Sequence, residues 1–259
     1  MTRSHETVVE DQFGPQAAAY VQSAVHAGGE DLDAIAALAA RETPQHALDL
    51  GSGGGHVAYR LAAHAGQVTA VDLSSGMIEA VRDTARQRGI ANIAGCVAPA
   101  ERLPFADGAF DFLGCRFSAH HWTDFEAGLR EARRVLEAGA TAVFVDVVSP
   151  GRPAFDTHLQ AVELLRDPSH ARDYTSAEWI AALARAGFRV RGTQARRLRM
   201  DYPTWVERMR TPEPHRAALR SLQQGASAAT SAYYAIEPDG SFTLDTLQVE
   251  VSACRAAWM

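Results

Sequence analysis

The sequence predicts an α/β protein built on a doubly wound, mostly parallel sheet. Between His46 and Pro150, short apolar runs alternate with apolar residues at helical spacing, a pattern typical of repeated strand–helix units. The first predicted strand ends in the glycine-rich turn 51–55, and the second ends at Asp72. These observations favour a sheet that binds a ligand at the carboxyl ends of its strands.

The strands of this first half are predicted from apolar runs of four to nine residues. They are His46–Leu50, Val68–Leu73, Ile93–Val97, Phe110–Arg116 and Ala140–Val148. Helices are predicted between them, and the one after the second strand is stopped by Gly89. Thr123 and Glu126 have the spacing of a capping box before a helix that Gly139 ends. Strand and helix therefore alternate along this half of the chain.

The second half is organised differently. A helix is predicted over Ser176–Ala186, and strands are predicted over Phe188–Met200 and Phe242–Cys254. Two long stretches, 149–175 and 201–240, separate these elements from the rest. Because connections of this length in a compact domain are usually functional, we interpret both as cap insertions.

Composition restricts the function. The chain has 259 residues with 25 basic and 31 acidic side chains, a net charge of −6, which argues against a nucleic-acid partner. Its 47% hydrophobic and 22% charged residues are typical of a globular protein. Three scattered cysteines, a charged amino-terminal segment and the absence of a long apolar run favour a cytoplasmic protein without membrane attachment. We found no motif for a metal site and expect no metal.

The glycine-rich turn and Asp72 together indicate a nucleoside-binding site. Glycines after a strand let a ligand approach bare backbone, and Asp72 lies 21 residues after Gly51, where a carboxylate can accept from both ribose hydroxyls. The alternative is that Asp72 only caps the next helix, since Ser74 and Ser75 follow it. On the ribose interpretation, Met77 of that helix packs against adenine.

Several segments resemble one family. LDLGSGGGHVA, VTAVDLSSGMI and AERLPFADGAFD look like the glycine motif, the acidic strand end and the adenine-side motif of class I S-adenosylmethionine (SAM)-dependent methyltransferases. CRFSAHHW, EARRVLEAGA and SAEWIAALARAGF are similar to later elements of the ubiquinone/menaquinone-biosynthesis-like group, especially its YcgJ-like branch. The resemblance implies a Rossmann-like seven-stranded sheet with an antiparallel last strand. It also implies SAM at the strand ends, with S-adenosylhomocysteine as product.

The resemblance also implies a domain plan and a cofactor site. Residues 1–42 would form a helical lid and residues 43–259 the methyltransferase domain. The residues expected to bind SAM are Tyr20, Asp49, Gly51, Ser52, Gly53, His56, Asp72, Leu73, Met77, Pro99, Ala100, Glu101 and Arg116. Pro99 departs from the family pattern, because it has no side-chain acceptor for the adenine amine.

Methyl transfer from a sulfonium requires alignment, and some acceptors must also lose a proton to a base. His120 and His121 follow the fourth strand and are the candidate catalytic residues; the alternative is that one of them only braces Trp122. On extended backbone, adjacent side chains point apart, so we do not expect both to serve one atom.

The candidate acceptor-binding residues are aromatic, cationic or histidine side chains beside the strand ends or in the caps. They are Phe13, Phe117, Trp122, Arg166, His170, Arg172, Tyr174, Trp205 and Tyr233. A surface ion-pair network is an equal alternative for the cluster 166–172, and ordinary packing for the aromatic residues. We expect a monomer or homodimer that methylates a small cyclic or aromatic molecule: quinone-like, a nitrogen heterocycle or a secondary metabolite. A SAM-binding protein without turnover and a nucleotide-dependent oxidoreductase are the alternatives.

Overall fold

The computed structural model describes residues 3–14 and 28–254. Within these residues one sheet runs in the order β3-β2-β1-β4-β5-β7-β6. Its strands are β1 His46–Leu50, β2 Gln67–Asp72, β3 Ile93–Val97, β4 Phe110–Arg116, β5 Leu136–Val147, β6 Phe188–Met200 and β7 Phe242–Ala253. In this sheet β7 runs antiparallel to both of its neighbours, β5 and β6, and the other pairs of strands are parallel. The doubly wound, mostly parallel seven-stranded sheet is thereby confirmed.

Helices pack on both faces of the sheet. In the described ranges they are α1 His5–Phe13, α2 Glu30–Glu42, α3 His56–Ala62, α4 Ser75–Gln87, α5 Phe125–Val135, α6 Pro153–Arg166, α7 Ser176–Arg185, α8 Tyr202–Arg208, α9 Glu213–Gln224 and α10 Ala228–Tyr234. One face buries Leu129 of α5 and Trp179 of α7, and the other buries Ile35 of α2 and Leu61 of α3. Since both faces are covered, the central strand β5 is almost uniformly apolar.

The two stretches predicted as caps are helical rather than loops. The first contains α6, and the second contains α8, α9 and α10. Their apolar side chains form a third core with the start of β7, in which Phe155, Trp205 and Leu219 are buried. The caps are thus packed extensions of the domain, because each presents an apolar face that needs a partner.

Two local predictions are wrong. The cap of α5 is Asp124, whose side chain accepts from the Ala127 amide at 2.8 Å, and not Thr123. Glu126, the predicted second half of that box, instead binds Arg185 at 2.6 Å. Strand β5 begins at Leu136 rather than after Gly139. Its pairing with β4 is irregular between Phe110 and Phe112, and this irregularity takes up the extra residues of β5 around Gly139.

A capping box does start α7. The Thr175 hydroxyl accepts from the Glu178 amide at 3.1 Å, and the Glu178 carboxylate accepts from the Thr175 amide at 2.7 Å. We expect Thr175→Ala to lower the free energy of unfolding by about 1 kcal/mol, because one cap bond is lost. Denaturant unfolding measures this. Thr123→Ala is the control and should have less than half that effect; an equal loss would contradict the assignment.

None of the helices in the described ranges combines the length and the apolar character that crossing a bilayer requires.

Candidate active site

A cavity of about 650 Å³ lies at the carboxyl ends of the parallel strands. The sheet contributes Leu50, Val71 and Val147, each at or near the end of its strand. Helix α1 covers one side, and α6 and α8 from the caps line another. This volume is within the range of small-molecule sites, and this is the edge at which open α/β sheets bind ligands.

The glycine turn forms one wall of the cavity. The amides of Gly51 and Ser52 both donate to the Val71 carbonyl at 2.8 Å, which fixes the turn against β2. Gly53 has a φ of +47°, and a Cβ atom added to it would meet no atom within 4 Å. Gly53 therefore presents bare backbone to open space, as the predicted ligand approach requires.

Asp72 lies beside this turn, on the cavity wall. Its Oδ2 accepts from the Gly53 amide at 2.8 Å, and its Oδ1 accepts from the Ser74 amide at 2.9 Å. The N-cap of α4 is Ser74, whose hydroxyl accepts from the Met77 amide at 3.3 Å. Burial raises the pKa of Asp72 above its ordinary value, and these amide bonds oppose the rise. Asp72 thus organises the turn while facing the cavity.

The residues predicted to lie beside adenine also line this cavity. Leu73, Met77, Pro99, Ala100 and Glu101 are all on its wall. The Glu101 carboxylate is held from the other side by the amides of residues 123 and 124, at 2.8 and 3.3 Å. Glu101 therefore connects the predicted adenine pocket to the start of α5.

Four predicted cofactor residues are not on the wall of the large cavity. They line a smaller one of about 60 Å³ that shares Gly51 and Gly53 with it: Asp49, Ser52, His56 and Arg116. Asp49 accepts from the Ala58 amide at 2.8 Å, and burial raises its pKa to about 7. Arg116 Nε is paired with Asp31 at 2.5 Å. Both side chains are engaged within the protein. Tyr20 lies outside the described residues.

His120 and His121 both line the cavity, with ring centroids 4.2 Å apart. The expectation that their side chains point apart is wrong, because residues 119–121 form a 3₁₀ turn rather than extended backbone. His121 Nδ1 lies 3.1 Å from the Ser169 carbonyl, and its ring is edge-on to Phe13 at 5.0 Å. His121 is therefore held between the first cap and α1.

His120 is paired with a buried carboxylate. Its Nδ1 lies 2.6 Å from Oδ1 of Asp146, which is 2% exposed. Asp146 also accepts from the amides of Ala119 at 2.8 Å and Val147 at 2.9 Å. Burial lowers the pKa of His120, but the Asp146 carboxylate more than offsets this and raises it to about 9. Burial and the His120 charge lower the pKa of His121 to about 4.

Five of the predicted acceptor-binding residues lie on the wall of the large cavity: Phe13, Phe117, Trp122, Arg166 and Trp205. Phe117 adopts the left-handed conformation with a φ of +53°, uncommon for a residue with a side chain and typical of functional sites. Trp205 is 1% exposed and also belongs to the cap core. The packing and binding interpretations of Trp205 are therefore compatible.

The other four lie away from this wall. The Tyr174 ring stacks on Phe125 at 4.1 Å in the main core, and Tyr233 donates to Asp245. Arg172 is 3.5 Å from Asp156 in an ion pair outside the cavity. His170 is buried behind His120, and burial lowers its pKa strongly. Core packing and local ion pairs therefore explain these residues.

Six charged residues on the cavity wall were missed by sequence reasoning: Glu6, Arg102, Asp124, Glu163, Asp173 and Arg208. Glu163 shares the buried face of α6 with Phe155 and Leu159, so its signal was an acid at helical spacing with apolar residues. Asp146 was also missed as a partner of His120. Its signal was an acid inside the otherwise apolar strand β5.

Comparisons with known proteins agree with this geometry. A family model described as a methyltransferase domain matches residues 48–144. The chain is 42% identical to the uncharacterized protein YafE of Escherichia coli, over 76% of this chain and 95% of YafE. It is 32% identical to the uncharacterized methyltransferase YcgJ of Bacillus subtilis, over 78% of this chain and 80% of YcgJ.

This chain belongs to the SAM-dependent methyltransferases. The crystal structure of YcgJ from Bacillus subtilis superposes on it with a TM-score of 0.82 at 27% identity, covering 87% of this methyltransferase and 99% of YcgJ. The segment 48–144 matched by the family model contains the glycine turn, Asp72 and both cavity histidines, whereas the helical caps lie outside it. The glycine turn and Asp72, which are predicted to bind the cofactor, therefore lie in the segment that the family model matches.

The fold of this methyltransferase implies SAM as methyl donor, and the site fits it. Open space beside the Gly53 backbone leaves room for a ligand that a Cβ atom would obstruct. The Asp72 carboxylate accepts one amide on each oxygen, and each oxygen has a second lone pair for a hydroxyl. Met77 supplies an apolar surface on the same wall.

Proposed function

We propose that this methyltransferase transfers the methyl group of SAM to a small cyclic or aromatic acceptor enclosed in the large cavity. The observation that carries the proposal is that one cavity of about 650 Å³ has Gly53 and Asp72 on one part of its wall and His120 on another. A single cavity with a proposed nucleoside-binding edge and a paired histidine suits transfer between two bound small molecules.

The cofactor side of the proposal assigns Asp72 to the ribose hydroxyls and Met77 to the adenine ring. Asp72 is already fixed by the amides of Gly53 and Ser74, so it needs no reorganisation to accept two further hydrogen bonds. SAM supplies an electrophilic methyl group on a sulfonium. The backbone of the glycine turn and the half-buried carboxylate orient that group towards the rest of the cavity.

The acceptor side assigns proton removal to His120. Asp146 holds Nδ1, which leaves Nε2 as the nitrogen that can take a proton from an acceptor hydroxyl, N–H or acidic C–H. Because Asp146 raises the pKa of His120 to about 9, the fraction in the basic form increases as pH rises towards that value. His121, with its pKa of about 4, remains uncharged beside it.

Helix α1 is the proposed lid, as part of the segment 1–42. Gln12 donates to the Met209 carbonyl of the second cap at 3.0 Å, and His5 Nε2 lies 2.9 Å from the His121 carbonyl. The Ser75 hydroxyl donates to Glu10 at 3.2 Å. These contacts connect α1 to three sides of the cavity, so α1 can exclude water while the methyl group is transferred.

We expect Gly53→Ala to weaken S-adenosylhomocysteine binding at least tenfold, because the new Cβ atom enters the space assigned to the cofactor. Isothermal titration of the folded variant measures this. Gly89→Ala is the matched control: Gly89 also has a positive φ, and nothing lies within 4 Å of its added Cβ, but it is at the far end of α4. Both variants should lose about 1 kcal/mol of stability through backbone strain. Unchanged affinity in Gly53→Ala would contradict the assignment.

The function is tested by turnover. Purified protein is incubated with methyl-labelled SAM and a panel of phenols, hydroxyquinones, nitrogen heterocycles and secondary metabolites, and label transfer is measured. Transfer to a member of the panel supports the proposal. Binding of S-adenosylhomocysteine without any transfer would favour a SAM-binding protein without turnover, and preferential binding of NAD or NADP would favour an oxidoreductase.

A further inference from the structure

Three buried ionisable side chains of the first cap line the cavity together with His120. Glu163 and Arg166 lie on α6, and Asp173 follows it; they are 7%, 8% and 1% exposed. The charges of Glu163 and Asp173 both raise the pKa of His120, and the charge of Glu163 also raises the pKa of Asp173. They therefore occupy the part of the cavity assigned to the methyl acceptor.

These side chains make few internal hydrogen bonds. Oδ2 of Asp173 is buried without a hydrogen-bond partner among the described residues, and it lies 3.9 Å from His170 Nε2. Among the described residues, Glu163 forms a long ion pair with Arg166, whose Nη1 lies 3.8 Å away, and Arg166 Nε donates to the Trp205 carbonyl at 3.2 Å. Buried polar groups are nearly always hydrogen-bonded, so this arrangement points to a ligand that completes it.

A neighbouring carboxylate shows the contrast. Asp156, on the same helix but outside the cavity, accepts from the Ser149 hydroxyl at 2.8 Å and from Gln160 Nε2 at 2.9 Å, and contacts Arg172. Its pKa is lowered, because these bonds outweigh its burial. Asp156, which lies outside the cavity, is therefore supplied with internal donors that Oδ2 of Asp173, on the cavity wall, does not have.

The donor and acceptor set defines what fits. Burial and the nearby Glu163 raise the pKa of Asp173 well above its ordinary value. Burial raises the pKa of Glu163 as well, and the Arg166 guanidinium opposes that rise. Two carboxyl groups, Glu163 and Asp173, lie on this part of the wall, so a ligand carboxylate would face both of them, whereas an O–H or N–H group can bind either.

Building on the proposed methyl transfer, we infer that Glu163, Arg166 and Asp173 bind an uncharged head group of the acceptor that carries an O–H or N–H donor beside a carbonyl oxygen. The O–H or N–H donor binds the carboxyl oxygens of Glu163 and Asp173, and the carbonyl oxygen accepts from Arg166. An O–H or N–H conjugated to a carbonyl is more acidic than an ordinary alcohol or amine. The same class of acceptor therefore suits proton removal by His120.

The first test compares benzamide with benzoate, two flat probes of nearly equal shape, by ligand-observed NMR on protein saturated with S-adenosylhomocysteine. Benzamide should bind at least tenfold more tightly than benzoate. Glu163→Gln removes the negative charge and should reverse this preference, whereas Asp156→Asn should retain it. Equal or tighter binding of benzoate to the wild type, no binding of either probe, or an unchanged ratio in Glu163→Gln would overturn the inference.

The second test uses stability, which does not depend on the probe. Because the pKa of Asp173 is raised in the folded protein, its carboxyl group ionises more readily in the unfolded state. The free energy of unfolding therefore falls as pH rises above the ordinary pKa of an aspartate. Asp173→Asn removes that loss and should raise Tm at pH 7 by about 2–4 °C, with a smaller rise at pH 4. Asp156→Asn should instead lower Tm. A lower Tm for Asp173→Asn would show a structural role and overturn the inference.

The two proposals can fail separately. Glu163→Gln and Asp173→Asn should both bind S-adenosylhomocysteine as the wild type does, because neither Glu163 nor Asp173 is assigned to the cofactor. Loss of cofactor binding in the wild type itself would contradict the proposed function, whereas intact cofactor binding with the wrong probe preference contradicts only the head-group inference.

Discussion

Replacing His120 with alanine is expected to lower kcat by about 100- to 10,000-fold, the usual contribution of a positioned general base. Affinity for S-adenosylhomocysteine should change less than about threefold, because His120 is assigned to the acceptor and not to the cofactor. The comparison uses kcat for the acceptor found in the turnover screen and a calorimetric titration of the same protein. His121→Ala should have a much smaller effect on kcat, since His121 is held against Ser169 and its pKa is about 4. Full activity in both single variants and in the double variant would show that alignment alone carries the reaction.

The pH profile distinguishes a base from a merely structural histidine. With its pKa raised to about 9 by Asp146, His120 gains its basic form as pH rises, so log kcat should increase with pH and level off near 9. Asp146→Asn removes the carboxylate that favours the imidazolium, so the inflection should move to lower pH. A profile that is flat from pH 6 to 9 in the wild type would exclude His120 as the base.

The same pair links stability to pH. The pKa of His120 is raised in the folded state, from an ordinary value of 6.5 to about 9, so the Asp146 interaction stabilises the protein fully below pH 6.5. That stabilisation is lost as pH rises from 6.5 to about 9. Asp146→Asn should therefore lower Tm more at pH 6 than at pH 9.

Asp72→Ala is the second large expected effect, with about a 100-fold loss of S-adenosylhomocysteine affinity. Two charge-assisted hydrogen bonds to the ribose would be lost, each worth about 1.5 kcal/mol or more. The Gly53 amide would also lose its acceptor, which loosens the glycine turn. Calorimetry measures the affinity, and circular dichroism verifies that the variant is folded.

A matched control separates ligand binding from backbone support. Asp111 accepts from the amides of Gln45 at 2.7 Å and His46 at 3.0 Å, the same kind of bond that Asp72 makes, but at the opposite end of the sheet. Asp111→Ala should reduce stability and leave cofactor affinity unchanged. Equal affinity in Asp72→Ala and the wild type would exclude Asp72 as the ribose ligand.

The sheet was predictable because each strand is a short apolar run. Strand β4, Phe110–Arg116, has the predicted limits, and β1 and β3 do as well. Local cap chemistry was less predictable. Asp124 and Thr123 are both good N-cap residues, and the amides of both are held by Glu101, a residue distant in the chain that sequence patterns do not connect to this turn.

The site was predictable where it depends on a local turn. Gly51, Gly53 and Asp72 are positioned by the first two strands, and both motifs are visible in sequence. The caps were harder, because their side-chain positions depend on packing between elements far apart in the chain. The Tyr174 ring stacks on Phe125 in the core, and the Gln160 side chain holds the backbone of Asp173 at 2.8 and 3.1 Å.

The central claim is that the cofactor binds at the Asp72 side of the cavity and the acceptor at the His120 side. A crystal structure of the complex with S-adenosylhomocysteine tests this claim most directly. The account predicts that the ribose hydroxyls bind Asp72, that adenine packs on Met77 and that the sulfur faces the His120 side of the cavity. A nucleoside bound instead between Arg166 and Trp205, with its sulfur away from His120, would contradict the assignment of both halves of the site.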